Sequence, residues 1–468
     1  MAQAGPELAS QVAARPAGRR RGGPALAWAG AAFGLALAAY LADVAAHPLG
    51  LTLGWFDLNI YNHAGLLTRH APQTLYSWHF LPGVQYLYTP FAALGFAAGS
   101  MLPWAVLKWL MTAASIAAMA LTAWLTFGQL GWRGRDRAAV TLAVAAGALW
   151  TEPVLRSLGV GQIELVLMAL IAWDLCQPDG RWWQGAGLGL AAGIKLVPLI
   201  FIPYLVLAGK LRQAAVATAA FAGTVVIGFA ALPHESVQWW LTGYFLHAGN
   251  FTNVSLGSLL NQSLLAMLTR TPAGAGSVTA WWVLLAAVAG SLGLIAAAAL
   301  ARAGRPTAGW VTCAVTGVLI SPISWDNHWV WIVPALAVLA DAAIRARGAA
   351  RWAYWALAAA LVAVFGDWPY RWTGPLAFLP HGLVGFYVGR HPMSEIFHLQ
   401  GIQLVSWNLF VLGGLAIFAC LLVAAGRAWR GGRAAPALPE SGPVPPESGP
   451  MPPESVAARP DREPQATT

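Results

Sequence analysis

The sequence predicts an all-α polytopic membrane protein, and three observations predict it. Only 10% of its 468 residues are charged and 58% are hydrophobic, against roughly 25% charged in a soluble domain. Apolar runs of membrane-spanning length recur along the chain. Short basic gaps separate several of them, as in loops kept on the cytoplasmic side.

The same numbers exclude other classes. The mean hydropathy of +0.59 points to a polytopic membrane protein, so chain length is no guide to domain count. A net charge of +9 would suggest nucleic acid in a soluble protein, but here the basic residues sit between apolar runs, where they set orientation. Nucleic acid is therefore not an expected partner; membrane lipids are. Several of the 25 Trp lie beside the ends of apolar runs, where an amphipathic ring suits the interface. Cys176, Cys313 and Cys420 sit in or at the ends of apolar runs without metal-ligand spacing, so they read as packing residues.

Taken in order, residues 1–23 form a basic N-terminus with Arg15 and Arg19 to Arg21. The run from Pro24 to Ala46 is too long for an ordinary cleavable signal core and reads as a signal anchor. Residues 24–425 make up the membrane domain. Its first wet stretch, 47–85, contains Asp57, the first acidic residue beyond the anchor. Apolar residues at helical spacing from Leu58 to Leu67 predict a helix lying in the interface. Pro90 suits the first turn of the next helix.

Further apolar segments cover 91–127, 138–155, 160–177, 186–208, 214–232, 279–301, 309–322, 328–344, 352–366 and 402–425. Basic gaps at Lys210/Arg212, Arg302/Arg305, Arg345/Arg347/Arg351 and Arg427/Arg430/Arg433 assign the cytoplasmic side, leaving 47–85, 233–278 and 367–401 facing outward. If the Arg-rich gap 128–137 is also cytoplasmic, 86–127 crosses once after an interfacial helix, and 186–208 turns back by breaking near Pro198. The competing topology crosses twice in 86–127. About 10 to 13 spans result, with both termini cytoplasmic. Residues 426–468 end in repeats of Pro, Glu, Ser and Gly that predict a disordered tail.

Polar residues near or inside apolar segments are costly and mark candidate sites. Asp57 reads as a catalytic carboxylate at the membrane surface or as an ordinary interfacial Asp. Glu152, Arg156, Gln162 and Glu164 cluster around one break, where the plain alternative is mutual Glu–Arg pairing. Lys195 is embedded too deeply to reach water. It must pair with an anionic ligand group, such as a lipid-linked phosphate, or with Glu164 or Asp174. Asn261, Gln262, Ser263 and Arg270 lie in the 233–278 loop, where Asn250, Asn253 and Asn261 also match the N-glycosylation pattern. Ser321 to Trp329 packs Asp326, Asn327, His328 and two Trp into one turn, a combination suited to stacking on a sugar ring and pairing its hydroxyls. In 367–401, Asp367, Arg371, His381, Arg390 and His391 add polar groups without an assignable pattern. No nucleotide-binding Gly-rich loop, paired Cys motif or His-Glu-x-x-His is present.

In order, these motifs are Asp57 with Tyr61; Leu75-Tyr76 ahead of Tyr88-Thr89-Pro90-Phe91; Gly161-Gln162-Ile163; Gly189 to Lys195 with Pro198; Asn261-Gln262-Ser263 with Arg270; and Ser321-Pro322-Ile323-Ser324-Trp325 running to His328. Together they resemble the glycosyltransferase C superfamily, and within it family 87, the polyprenyl-phosphate-mannose-dependent α-mannosyltransferases of actinobacteria. The resemblance covers about 25–425. It departs from the family at Glu164, where Asn is usual, and at Asn327, where the first of two His is usual.

The resemblance implies a C-type bundle with interfacial helices in the first outward loop. It also implies inverting transfer of a hexose, with mannose expected, from a polyprenyl-phosphate-sugar to a glycan or glycolipid acceptor at the outer face of the plasma membrane. Asp57 would be the general base. Tyr61, Tyr88, Gln162, Glu164, Lys195, Asn261, Gln262, Arg270, Trp325 and His328 would bind substrate, with Lys195, Arg270 and His328 nearest the departing phosphate. A divalent cation held by Asp57, Glu164 and Asp326 is compatible with these residue types, although no ligand spacing marks it. A multi-span transporter or flippase is the competing class.

Overall fold

A computed structural model describes residues 22–46, 53–81, 84–247, 256–271, 278–368, 382–385 and 399–433. The basic terminus up to 21, Asn250, Asn253, Arg371, His381, Arg390, His391 and the Pro-rich repeats lie outside these residues.

Helix α1 (Gly22–Ala46) is followed by Gly54 and Trp55, both in the left-handed region with φ of 67° and 51°. Gly accepts that backbone freely, whereas a non-Gly residue there is strained and held by its surroundings. The Trp55 ring is fixed edge-on to Trp109, with centroids 5.9 Å apart, and by the Lys108 ammonium 4.6 Å from its centroid. The turn launches α2 (Phe56–His70), a helix where the Leu58–Leu67 pattern predicts one, and places Asp57 in its first turn. A two-stranded hairpin follows, β1 (His79–Leu81) antiparallel to β2 (Val84–Gln85).

Next come α3 (Pro90–Gly99), α4 (Trp104–Gln129), α5 (Gly134–Leu149), α6 (Glu152–Val160) and α7 (Glu164–Leu175). Thr89 caps α3 by accepting from the Ala92 amide at 3.1 Å, and Pro90 occupies its first turn as expected. Residues 86–127 thus divide into a short helix and one 26-residue helix. Between α6 and α7 the chain bends by 116°.

The second half runs through α8 (Ala186–Ile194), α9 (Phe201–Leu207), α10 (Leu211–Ala231), α11 (Leu264–Thr269), α12 (Val278–Arg302) and α13 (Pro306–Ile320). A 3-10 turn over Asp326–Trp331 leads into α14 (Ile332–Arg345), followed by α15 (Ala349–Phe365) and α16 (Leu409–Arg433). The 186–208 segment breaks earlier than expected. Lys195 itself is extended (φ −140°, ψ 133°), and Pro198 sits in the next 3-10 turn, where its missing N–H is no defect. Helix α16 continues past residue 425, because no Pro intervenes before Pro436 and Arg427 and Arg430 suit the C-terminal part of a helix.

Neighbouring pairs are α1 with α5, α4 with α7, α8 with α10, α12 with α13 and α16, and α14 with α15. One core joins them, its largest buried side chains including Trp310, Trp329, Phe365 and Phe410. Phe365 stacks on Phe410 with centroids 4.4 Å apart. The three Cys are free thiols: Cys313 is buried, Cys176 half-buried and Cys420 exposed.

Among the described residues, six helices are long and apolar enough to cross a membrane, and the bent α6–α7 pair makes a seventh if it counts as one span. The protein is a multi-pass membrane protein of the all-α class, its one described hairpin being β1–β2. Reaching the expected 10 to 13 crossings requires the shorter apolar helices, Pro90–Gly99, Val197–Leu207, Pro306–Ile320 and Ala349–Phe365.

Candidate active site

The break between α6 and α7 gathers the polar residues that the sequence scatters. Gly161 ends α6 at φ 72°, and a Cβ there would lie 2.6 Å from Leu58 Cβ and 3.2 Å from Trp55 Cδ1. The break therefore nests directly on the start of α2. Gln162 then donates through Nε2 to Asp57 Oδ2 at 2.8 Å. Its Oε1 accepts from Tyr61 at 2.5 Å and from Tyr88 at 3.0 Å, and the two phenol oxygens are 2.7 Å apart. Those bonds fix which way the amide points, because only the nitrogen can donate to a carboxylate.

Burial raises the Asp57 carboxyl to about pH 6. The Gln162 hydrogen bond, Lys195 and Arg156 oppose the rise, and Asp326 adds to it. A carboxylate poised there is ionised at neutral pH and still basic enough to take a proton.

Two residues further on, Glu164 opens α7 and binds Lys195 Nζ through Oε1. His328 Nε2 lies 3.1 Å from Lys195 Nζ and 3.3 Å from Glu164 Oε1. Lys195 also stands 5.5 Å from the Tyr88 ring centroid. Of its two expected carboxylate partners, Lys195 takes Glu164. Asp174 instead accepts from the Gly185 and Leu188 amides at 2.7 and 2.8 Å, anchoring the start of α8. Thr89 Oγ1 ties α3 to α8 by donating to the Gly193 carbonyl at 2.5 Å.

Beside this cluster lies a buried charge pair. Arg156 Nε is 2.9 Å from Asp326 Oδ2 and 3.8 Å from Glu152 Oε1. The local Glu152–Arg156 pairing considered from sequence is thus present but long, and the closer partner comes from the distant 326–331 turn. The sequence flags Arg156 and Asp326 as polar residues at separate breaks; no spacing rule joins them.

Asn261, Gln262 and Arg270 form a different cluster. Asn261 pairs with Trp325 as a β-bridge, and its side chain accepts from the Ser324 amide at 3.0 Å. Gln262 donates to the Leu259 and Trp407 carbonyls at 2.7 and 2.8 Å. The Arg270 guanidinium is wholly buried and donates to the carbonyls of Gly257, Ser258, Asn261 and Trp407 and to the Asn408 side chain. These residues lock the 256–271 segment to the 321–326 turn and to the start of α16. In this geometry the Arg270 donors are met by the fold rather than left open to a phosphate. Buried Asn261 is likewise no open glycosylation acceptor. Trp325 enters through its backbone bridge, and His328 is the residue of that turn that reaches Lys195.

Among the described residues, no group of three or more His, Cys, Asp or Glu side chains is arranged to hold a metal ion. Asp57, Glu164 and Asp326 have separate partners, Gln162, Lys195 and Arg156, so the three carboxylates do not form the cation site considered from sequence.

An apolar groove of about 630 Å³ abuts the cluster. Leu58, Tyr61, Phe91, Phe96, Ile163 and Ile194 line it, together with side chains from α4 and α10. Tyr61 belongs to both groove and cluster, and Ile163 and Ile194 are chain neighbours of Gln162, Glu164 and Lys195.

Fold and site define a multi-pass membrane protein with a charged cluster beside an apolar groove. Residues 86–322 match the profile of glycosyltransferase family 87. The chain is 30% identical over 393 residues to a polyprenol-phosphate-mannose-dependent α-(1-2)-phosphatidylinositol mannoside mannosyltransferase of Mycobacterium tuberculosis (strain H37Rv), covering 81% of this chain and 86% of that protein. It is also 30% identical to a corresponding phosphatidylinositol pentamannoside mannosyltransferase of M. tuberculosis (strain CDC 1551), over 64% of this chain and 69% of that one. A phosphatidylinositol mannoside mannosyltransferase of Mycolicibacterium smegmatis is similar at 30% identity, over 63% and 68%. No solved structure gives a significant match. The chain belongs to glycosyltransferase family 87 and is a membrane glycosyltransferase.

Proposed function

We propose that the protein transfers mannose, with inversion, from polyprenyl-phosphate-mannose to a hydroxyl of a phosphatidylinositol-mannoside-like glycolipid at the outer face of the plasma membrane. The reading rests on one observation above all: a single chain break presents Asp57 through Gln162 and the Lys195–His328 pair through Glu164.

In this reaction the acceptor oxygen bonds to the sugar C1 while the bond from C1 to the phosphate oxygen breaks. The electron pair leaves with the lipid phosphate, and the acceptor proton passes to Asp57. General-base assistance of this kind is worth about 100- to 10,000-fold. Negative charge builds on the departing phosphate, and Lys195 and His328 are the groups positioned to receive it. The groove lined by Leu58, Phe91, Phe96 and Ile194 takes the first isoprene units. The relatives' names supply the donor and acceptor class, and an apolar groove beside a cationic side chain supports that reading.

The test uses purified protein in nanodiscs with labelled polyprenyl-phosphate-mannose and a panel of phosphatidylinositol mannosides. Transfer to a glycolipid, with linkage analysis giving an α-mannoside, is the expected result. Absence of transfer with every acceptor and every polyprenyl-phosphate hexose would overturn the reading.

A further inference from the structure

Glu164 is an unexpected neighbour for a leaving phosphate. Its carboxylate occupies Lys195 Nζ and lies 3.3 Å from His328 Nε2, the two groups assigned above to receive that phosphate. The three side chains are 12–17% exposed, so a ligand can reach them. Nor do nearby charges offset the carboxylate. Among the described residues, Lys195 and Arg156 are the cations of the two adjoining clusters, set against Asp57, Glu152, Glu164 and Asp326, and Arg156 is engaged by Asp326 at 2.9 Å. The site is therefore electrostatically poor for a highly charged anion.

The donor and the lipid product differ in that respect. A polyprenyl-phosphate-sugar is a phosphodiester with one negative charge. Breaking the C1–O bond leaves a phosphomonoester, which carries about −1.5 to −2 at neutral pH. A fixed carboxylate at the same cation repels the product more than the donor, because repulsion scales with the charge it faces.

We propose that Glu164 is a built-in counter-ion that discriminates between donor and product by charge, competing for Lys195 and His328 and so hastening release of the lipid phosphate. This inference rests on the reading of Lys195 and His328 as the phosphate site. It gives Glu164 a specificity role distinct from the general base at Asp57.

The experiment measures donor KM, kcat and the inhibition constant Ki of polyprenyl phosphate for the full chain in nanodiscs. In Glu164→Gln, Ki is expected to fall about tenfold more than KM, the order of one removed like-charge contact, with kcat reduced as release slows. Glu164→Asp keeps the charge and is expected to keep the Ki/KM ratio. KM and Ki moving together, or neither moving, would overturn the proposal, as would a Gln variant that merely loses thermal stability with its ratio intact. If Glu164→Gln does not fold, the wild-type protein decides: the methyl phosphodiester of the lipid, a monoanion, is expected to inhibit more tightly than the monoester, and the reverse order refutes the counter-ion role. A protein that neither turns over the donor nor is inhibited by any of these lipids overturns the phosphate-site reading as well.

Discussion

Gln162 Nε2 donates a 2.8 Å hydrogen bond to Oδ2 of Asp57. This bond orients the carboxylate and partly offsets the burial that raises its pKa, while Tyr61 and Tyr88 hold the other end of the amide. Gln162→Leu removes the donor at similar size. We expect kcat to fall by about 10- to 100-fold, within the range for misplacing a catalytic group. Because the lost bond favoured the ionised form, the acid limb of the pH profile should move upward. An unshifted limb would show that Gln162 does not act on Asp57.

In the wild-type protein that limb follows from Asp57 itself. Its carboxyl is raised from 3.8 to about 6, chiefly by burial. A general base works when deprotonated, so kcat/KM should be flat above pH 7 and fall roughly tenfold for each unit below about 6. The stability consequence has the opposite sign. A carboxyl whose pKa is raised on folding stabilises the fold when protonated, and that contribution is lost as pH rises through about 6. Asp57→Asn should therefore melt no lower than the wild type at pH 7.5, as thermal unfolding monitored by intrinsic fluorescence would register.

Gly161→Ala tests how the break is seated on α2. The new Cβ would meet Leu58 Cβ at 2.6 Å, at a backbone φ of 72° that disfavours any side chain. A left-handed non-Gly residue costs about 1–2 kcal/mol before any clash. Both melting temperature and transfer rate should drop, since Leu58 adjoins Asp57. Wild-type behaviour in both would contradict the packing described.

Arg270→Lys keeps the charge and discards the five-donor fork. Loss of several buried hydrogen bonds to a charged group, each worth about 1.5–3 kcal/mol, should lower the melting temperature or the yield of folded protein. Donor KM in the folded fraction should be unchanged. A raised KM with full stability would instead place Arg270 in the phosphate site.

Much of the fold was legible in the sequence because its signals are local. Charge depletion and apolar length announced the membrane spans, the Leu58–Leu67 spacing announced α2, and Pro90 announced the start of α3. The site was legible only in part. Asp57, Tyr61, Tyr88, Gln162, Glu164, Lys195 and His328 do converge, yet hydropathy assigns each to its own segment and says nothing of which segment ends meet. Arg270 poses the reverse difficulty. A lone Arg in a polar loop looks the same from sequence whether it binds a ligand or ties backbone carbonyls together; only its five acceptors separate the two. The early break at Lys195 was hidden because Pro198 is the stronger local signal, though the backbone turns extended three residues before it.

The central claim is that Asp57 takes the acceptor's proton. The most direct measurement is transfer of labelled mannose from polyprenyl-phosphate-mannose to a phosphatidylinositol mannoside by wild-type and Asp57→Asn protein, both in nanodiscs and both shown to be folded by their melting curves. The account predicts a loss of at least about 100-fold in kcat with little change in donor KM. An Asp57→Asn protein that retains wild-type kcat would contradict it.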